Sequence, residues 1–163
     1  EEGPFVSFRT KNHRIEGKWK TTSYFYNNQE QMGSRSYFPE QRVDCKSGKH
    51  IYMAPYNQLE QIEWEFKKDG QASQTYIKIF KDIDYNLVWY SCDPIYKRDS
   101  IKKTPETFSW EFNKDKTRLI LFNPTTGYRT EYEIVQLKEK EVKLRRTQGN
   151  PPNISLFTLV KVK

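Results

Sequence analysis

The residues able to do chemistry in this 163-residue chain are few and scattered. Its two histidines, His13 and His50, stand in unrelated segments. Neither has a nucleophile or second ligand at the spacing that a hydrolase elbow or a zinc-binding helix requires. Cys45 and His50 lack a companion pair of Cys or His, so no metal centre is expected. Glu63 and Glu65 share one face of an alternating segment, and Glu111 repeats the pattern. All three interleave with aromatic residues and suit cross-strand lysines, which reads as a solvated strand face and not as an acid–base pair. No glycine-rich phosphate loop occurs. The expectation is a non-enzymatic protein with no cofactor and no metal.

Aromatic side chains are the other chemical resource: eleven Tyr, ten Phe and four Trp, 15% of the chain. Such a bias favours strands. Ile62-Glu63-Trp64-Glu65-Phe66-Lys67 alternates strictly, placing Ile62, Trp64 and Phe66 on one face. Lys68-Asp69-Gly70 then supplies an Asp-Gly turn into Thr75–Phe80, a hairpin signal. The phrase returns as Trp110-Glu111-Phe112 before Lys114-Asp115, and further strands are expected at 118–123, 128–137, 142–146 and 154–162. Residues 36–43 and 49–53 read as weaker strands. Residues 85–90, apolar on both faces, read as a deeper segment. Phe5, Phe8 and Ile15 have the spacing of a short helix before the first strand. The fold class expected is all-β: an antiparallel up-and-down meander of about eight to ten strands closed into a barrel, with a short N-terminal helix. Closure would remove the edges that such aromatic strands would otherwise expose.

The chain is long enough for one domain burying about 70% of its extended surface. Basic residues outnumber acidic ones 28 to 21, for a net charge of +7. The densest groups, Lys97-Arg98 with Lys102-Lys103 and Lys143 with Arg145-Arg146, form no block, and no nucleic-acid motif accompanies them. No nucleic-acid partner is expected. No apolar run approaches the roughly 18 residues that span a bilayer. Cys45 and Cys92 allow a single intramolecular pairing, and the residues alone leave a disulfide and two buried thiols both open. Residues 91–103 form a long expected loop. Tyr96, Lys97, Arg98, Lys102 and Lys103 there are a candidate interaction surface for an envelope protein or an acidic glycan.

Ile15-Glu16-Gly17-Lys18-Trp19-Lys20 followed by Thr21-Thr22-Ser23-Tyr24-Phe25-Tyr26 resembles the first strand of lipocalins, whose signature is a glycine and a tryptophan one residue apart. The stretch from Ser7 to Lys20 is more similar still to the lipocalin-like exported lipoproteins of Bacteroidetes. The resemblance covers the N-terminal fifth of the chain, and the middle lipocalin signature, a Thr-Asp-Tyr-like strand-turn, is not evident. It implies a helical plug within residues 1–16 and a lipocalin-like β-barrel over 17–163. Gly17 and Trp19 would seal the closed end, with Arg145 or Lys143 packed on Trp19 by cation–π contact. It also implies export to the periplasm or outer membrane as a mature chain freed of its signal segment, with the membrane reached only through a removed lipid anchor. Export tilts Cys45 and Cys92 towards a disulfide. Within such a barrel, Trp64, Phe66, Trp89, Trp110, Phe112 and Tyr132 are the expected inward residues. They would line a pocket for a small apolar or amphipathic ligand or, in the alternative, fill a barrel that serves as an interaction module in a cell-envelope assembly.

Overall fold

The computed structural model describes residues 8–162. Its elements run α1 (Phe8–Ile15), β1 (Gly17–Tyr26), β2 (Gln29–Glu30), β3 (Arg35–Tyr37), β4 (Gln41–Asp44), β5 (His50–Met53), β6 (Tyr56–Phe66) and β7 (Gln71–Lys81). There follow α2 (Tyr85–Ser91), β8 (Ser100–Phe112), β9 (Arg118–Phe122), β10 (Arg129–Leu137), β11 (Glu141–Gln148) and β12 (Asn153–Lys161). These fall into two compact units, one of residues 8–32, 61–76 and 104–162, the other of residues 33–60 and 77–103.

The first unit is a closed barrel. Its eight strands follow the order β1-β12-β11-β10-β9-β8-β7-β6, and β6 pairs back onto β1. The seam is antiparallel, with Gly17 opposite Phe66, Lys18 opposite Glu65, Trp19 opposite Trp64 and Lys20 opposite Glu63. Past the seam, Phe25 and Tyr26 of β1 pair instead with β2. Period-two alternation decides what fills the barrel: Ile62, Trp64 and Phe66 are buried, as are Leu119 and Leu121, Val142 and Leu144, and Phe157 and Leu159. Glu63 and Glu65 take the opposite face, where the seam sets lysines across from them. Both Trp-x-Phe strands end at tight turns. At the first, Gly70 adopts a φ of 80° and its N–H donates to Lys67 O at 3.2 Å.

One end of the barrel is sealed. Ile15, at the C-terminus of α1, is fully buried, and the Trp19 indole N–H donates to its carbonyl at 2.6 Å. Gly17 has a φ of 113°, and a Cβ there would lie 3.1 Å from Lys161 Cε. The missing side chain therefore lets Lys161 lie along β1 and set its ammonium 5.1 Å from the centre of the Trp19 ring. This corrects the expectation for Arg145. Val142 and Leu144 point inward, so Arg145 points outward, and it forms a forked pair with Glu133 at 2.6–2.9 Å. Lys143, also on the outward parity, lies 3.9 Å from Glu141. The cation on Trp19 comes from the β12 residue directly across the ladder. Of the three apolar residues expected on the N-terminal helix, Phe5 lies outside the described residues.

The second unit holds its own core of Val43, Ile51, Met53, Ile83 and Val88, with Cys92, Ile95 and Tyr96 packed against it. β4 and β5 pair antiparallel and present Val43, Ile51 and Met53 to that core. Residues 85–91 form a helix. Their Tyr, Val and Trp content favours extended chain, but Asp84 caps the segment by accepting the Leu87 N–H at 3.0 Å. Val88 and Cys92, one helical turn apart, then fall on the face turned to the core. Cys92 takes a left-handed conformation that ends the helix and is disulfide-bonded to Cys45. The expected loop 91–103 is shorter than the sequence suggests, because β8 begins at Ser100 and runs for 13 residues.

Candidate functional site

The barrel interior is filled only in part. Trp64 stacks with Phe66 (centroids 6.1 Å apart), and Phe66 meets Trp110 edge-to-face at 5.8 Å. Each buried indole finds a partner: Trp64 Nε1 donates to Thr21 Oγ1 at 3.0 Å and Trp110 Nε1 to Lys67 O at 2.9 Å. Tyr132 and Phe157 both pack edge-on against Trp64. On the other side of Tyr132 the interior opens into a cavity of about 490 Å³.

Five strands and one turn build this cavity. β7 contributes Gln74 and Tyr76, β8 contributes Glu106 and Phe108, β9 contributes Leu121, and β10 contributes Thr130 and Tyr132. Arg146 reaches in from β11, and the β9–β10 turn with Thr125, Thr126 and Tyr128 forms the rim. The inward parity follows residues already buried below: Ala72 precedes Gln74 and Tyr76, Trp110 follows Glu106 and Phe108, and Val142 and Leu144 precede Arg146.

The electrostatics are those of a half-dry, polar chamber. Burial pushes the Tyr76 hydroxyl up to about 12, with the Glu106 carboxylate adding to the effect and Arg146 opposing it. Burial raises Tyr132 more strongly still, again against Arg146. Both phenols therefore stay protonated and able to donate at neutral pH. Gln74 is only 3% exposed, and its Nε2 is the buried side-chain polar atom left without a hydrogen-bond partner among the described residues. The Gln74 amide slightly eases ionisation of Tyr76, yet the two groups miss hydrogen-bond geometry. Burial without a partner outweighs that weak influence.

The barrel is lipocalin-like. Its up-and-down strand order, its β1–β6 closure and the short helix before β1 establish this. The sequence matches no family model and no curated protein. Two solved structures are similar in fold. One is a lipocalin-like protein from Bacteroides uniformis, at 11% identity and a TM-score of 0.41, covering 91% of this chain and 99% of that one. The other is bovine odorant binding protein in complex with a selenium-containing odorant, at 12% identity and a TM-score of 0.41, covering 100% of this chain and 77% of that one.

The residues singled out in the sequence disperse across the lipocalin-like fold. Tyr132 lines the cavity, while Trp64, Phe66 and Trp110 are buried in the packed part of the barrel. Phe112 is half-buried and meets Trp110 edge-on at 5.7 Å. Trp89 stands 44% exposed on α2 in the second unit. In that unit Tyr96 is half-buried, its hydroxyl donating to Ala54 O and its ring 5.4 Å from Tyr56. Lys97 pairs with Asp82 at 2.8 Å and holds that carboxyl below its usual range, while Arg98, Lys102 and Lys103 are exposed. His13 lies 3.4 Å from Glu16 and His50 2.7 Å from Asp44, and no metal-holding cluster occurs among the described residues. Gln74, Tyr76, Glu106 and Arg146 escape a reading of the sequence because polar residues on an alternating strand ordinarily mark its wet face. Counting back by twos from Trp110, or on from Leu144, would have reached Glu106 and Arg146.

Proposed function

We infer that this protein is a noncatalytic lipocalin-like binding protein that takes a small apolar or amphipathic ligand into its barrel. The observation that carries this reading is the cavity of about 490 Å³, with Phe108 and Leu121 beside a few convergent polar groups. Its volume falls within the range of small-molecule sites, roughly 300–1,000 Å³. The packed aromatic layer behind Tyr132 limits the ligand to the open part of the barrel. The Cys45–Cys92 disulfide supports an exported location, since such bridges persist in oxidising compartments. The test is native mass spectrometry of protein from its own organism, followed by organic extraction and by fluorescence titration with apolar probes. A defined adduct, with quenching of Trp64 and Trp110, is the expected result. A clean unliganded mass with no quenching by any probe would exclude the reading.

One observation favours a second reading, an interaction module in a cell-envelope assembly. Tyr52, Leu87, Trp89 and Tyr90, all in the second unit, are exposed by 44% or more. Large exposed aromatics are over-represented where partners bind. If no ligand is found, substitution of Trp89 and Tyr90 together should abolish capture of an envelope protein or acidic glycan.

A further inference from the structure

The cavity has an uneven hydrogen-bonding inventory. On its strands the Gln74 amide, the Tyr76 and Tyr132 hydroxyls and the Arg146 guanidinium can donate into it, along with the Thr107 and Thr130 hydroxyls, while Asn123, Thr125, Thr126 and Tyr128 add groups near the rim that both donate and accept. Glu106 is the charged acceptor, and it stands exposed towards the rim. Gln74 and Tyr132 are buried and Glu106 is exposed, although its carboxylate still acts on both phenols. Gln74 fixes the point of greatest need. A buried amide N–H with no partner is destabilising, and a chain that merely filled its barrel would meet that position with Leu or Met at no such cost. Phe108 and Leu121 supply an apolar wall beside it.

We propose that the ligand enters head first, seating an acceptor oxygen of carbonyl or carboxylate type on Gln74 Nε2 with its apolar tail towards the rim. This deepens the carrier reading and rests on it. The Tyr76 hydroxyl from β7 and the Tyr132 hydroxyl from β10 line the same cavity and can make a second donation to that oxygen. Arg146 adds a cation that a carboxylate would use and a ketone, ester or amide would not. A pure hydrocarbon leaves the Gln74 amide unmet and so binds weakly.

The test titrates the whole protein with 2-decanone, decanoate and decane, followed by tryptophan fluorescence. Wild type should bind both oxygenated probes at least tenfold more tightly than decane, about what one buried hydrogen bond is worth. Gln74→Met, close in shape but unable to donate, should cut that advantage below threefold. The same variant should melt higher than wild type without ligand, because the unmet N–H is gone, and this also shows that it folds. Arg146→Gln separates the two head groups: loss for decanoate alone assigns a carboxylate, and no loss for either probe assigns a neutral carbonyl. Decane binding as tightly as the other two, or an advantage that survives Gln74→Met, overturns the head-first placement and leaves the carrier reading standing. Failure of all three probes to bind removes both.

Discussion

At the scale of single residues, the sealed end and the cavity make different demands. Gly17 is favoured by a backbone angle of 113° and by Lys161, whose Cε lies 3.1 Å from where a Cβ would stand. Gly17→Ala should therefore cost at least about 1 kcal/mol, from strain at positive φ plus displacement of the cation from Trp19. A shift in the urea midpoint at constant slope would measure it. Arg145→Ala, by contrast, removes an exposed pair and should change stability by about 0–1 kcal/mol. Tyr76 and Tyr132 set an alkaline limit. Their folded-state values lie above the unfolded one near 10, so the native form holds its protons more tightly. Their contribution is complete below pH of about 10 and is lost as pH rises through the folded value of about 12 for Tyr76. Absorbance at 295 nm should show at least two tyrosines ionising only with unfolding, and Tyr132→Phe should remove one of them.

At the scale of elements, legibility in the sequence followed how local each determinant is. The second half of β6 and the turn at Gly70 are written in adjacent residues, an alternating run closed by Asp69-Gly70, and both stand where the pattern puts them, although β6 itself begins earlier, at Tyr56. α2 is not. The cap at Asp84 is one residue, and the burial of Val88 and Cys92 depends on β4 and β5, which propensity cannot see. The start of β8 at Ser100 is equally hidden, because its first eight residues are all exposed and carry no alternation. The same blindness concealed the cavity: its aromatic floor was visible as Trp64 and Tyr132, its polar wall was not. The second unit leans on one covalent element. The disulfide joins residues 47 apart, and a closed loop of that length confers about 3–4 kcal/mol in the chain-entropy account. Reduction should lower protection from hydrogen exchange across residues 41–53 and 85–92 first. Equal protection in oxidised and reduced protein would contradict this.

At the scale of the whole molecule, binding and stability should rise together. A ligand at one hundred times its dissociation constant adds about 2.7 kcal/mol if it binds only the folded barrel, so the melting temperature should climb with its concentration. Barrel closure has another consequence, felt before the chain is complete. Trp19 is matched across the ladder with Lys161, and Tyr24 with Phe157. β1 thus leaves the ribosome well before the strand that covers it, and until β12 follows, the edge of Thr21–Tyr26 that faces β12 is open to other chains. A chain cut before Asn153 would keep that edge permanently. Such a fragment should collect in aggregates, and adding residues 153–162 in trans as a peptide should return it to solution.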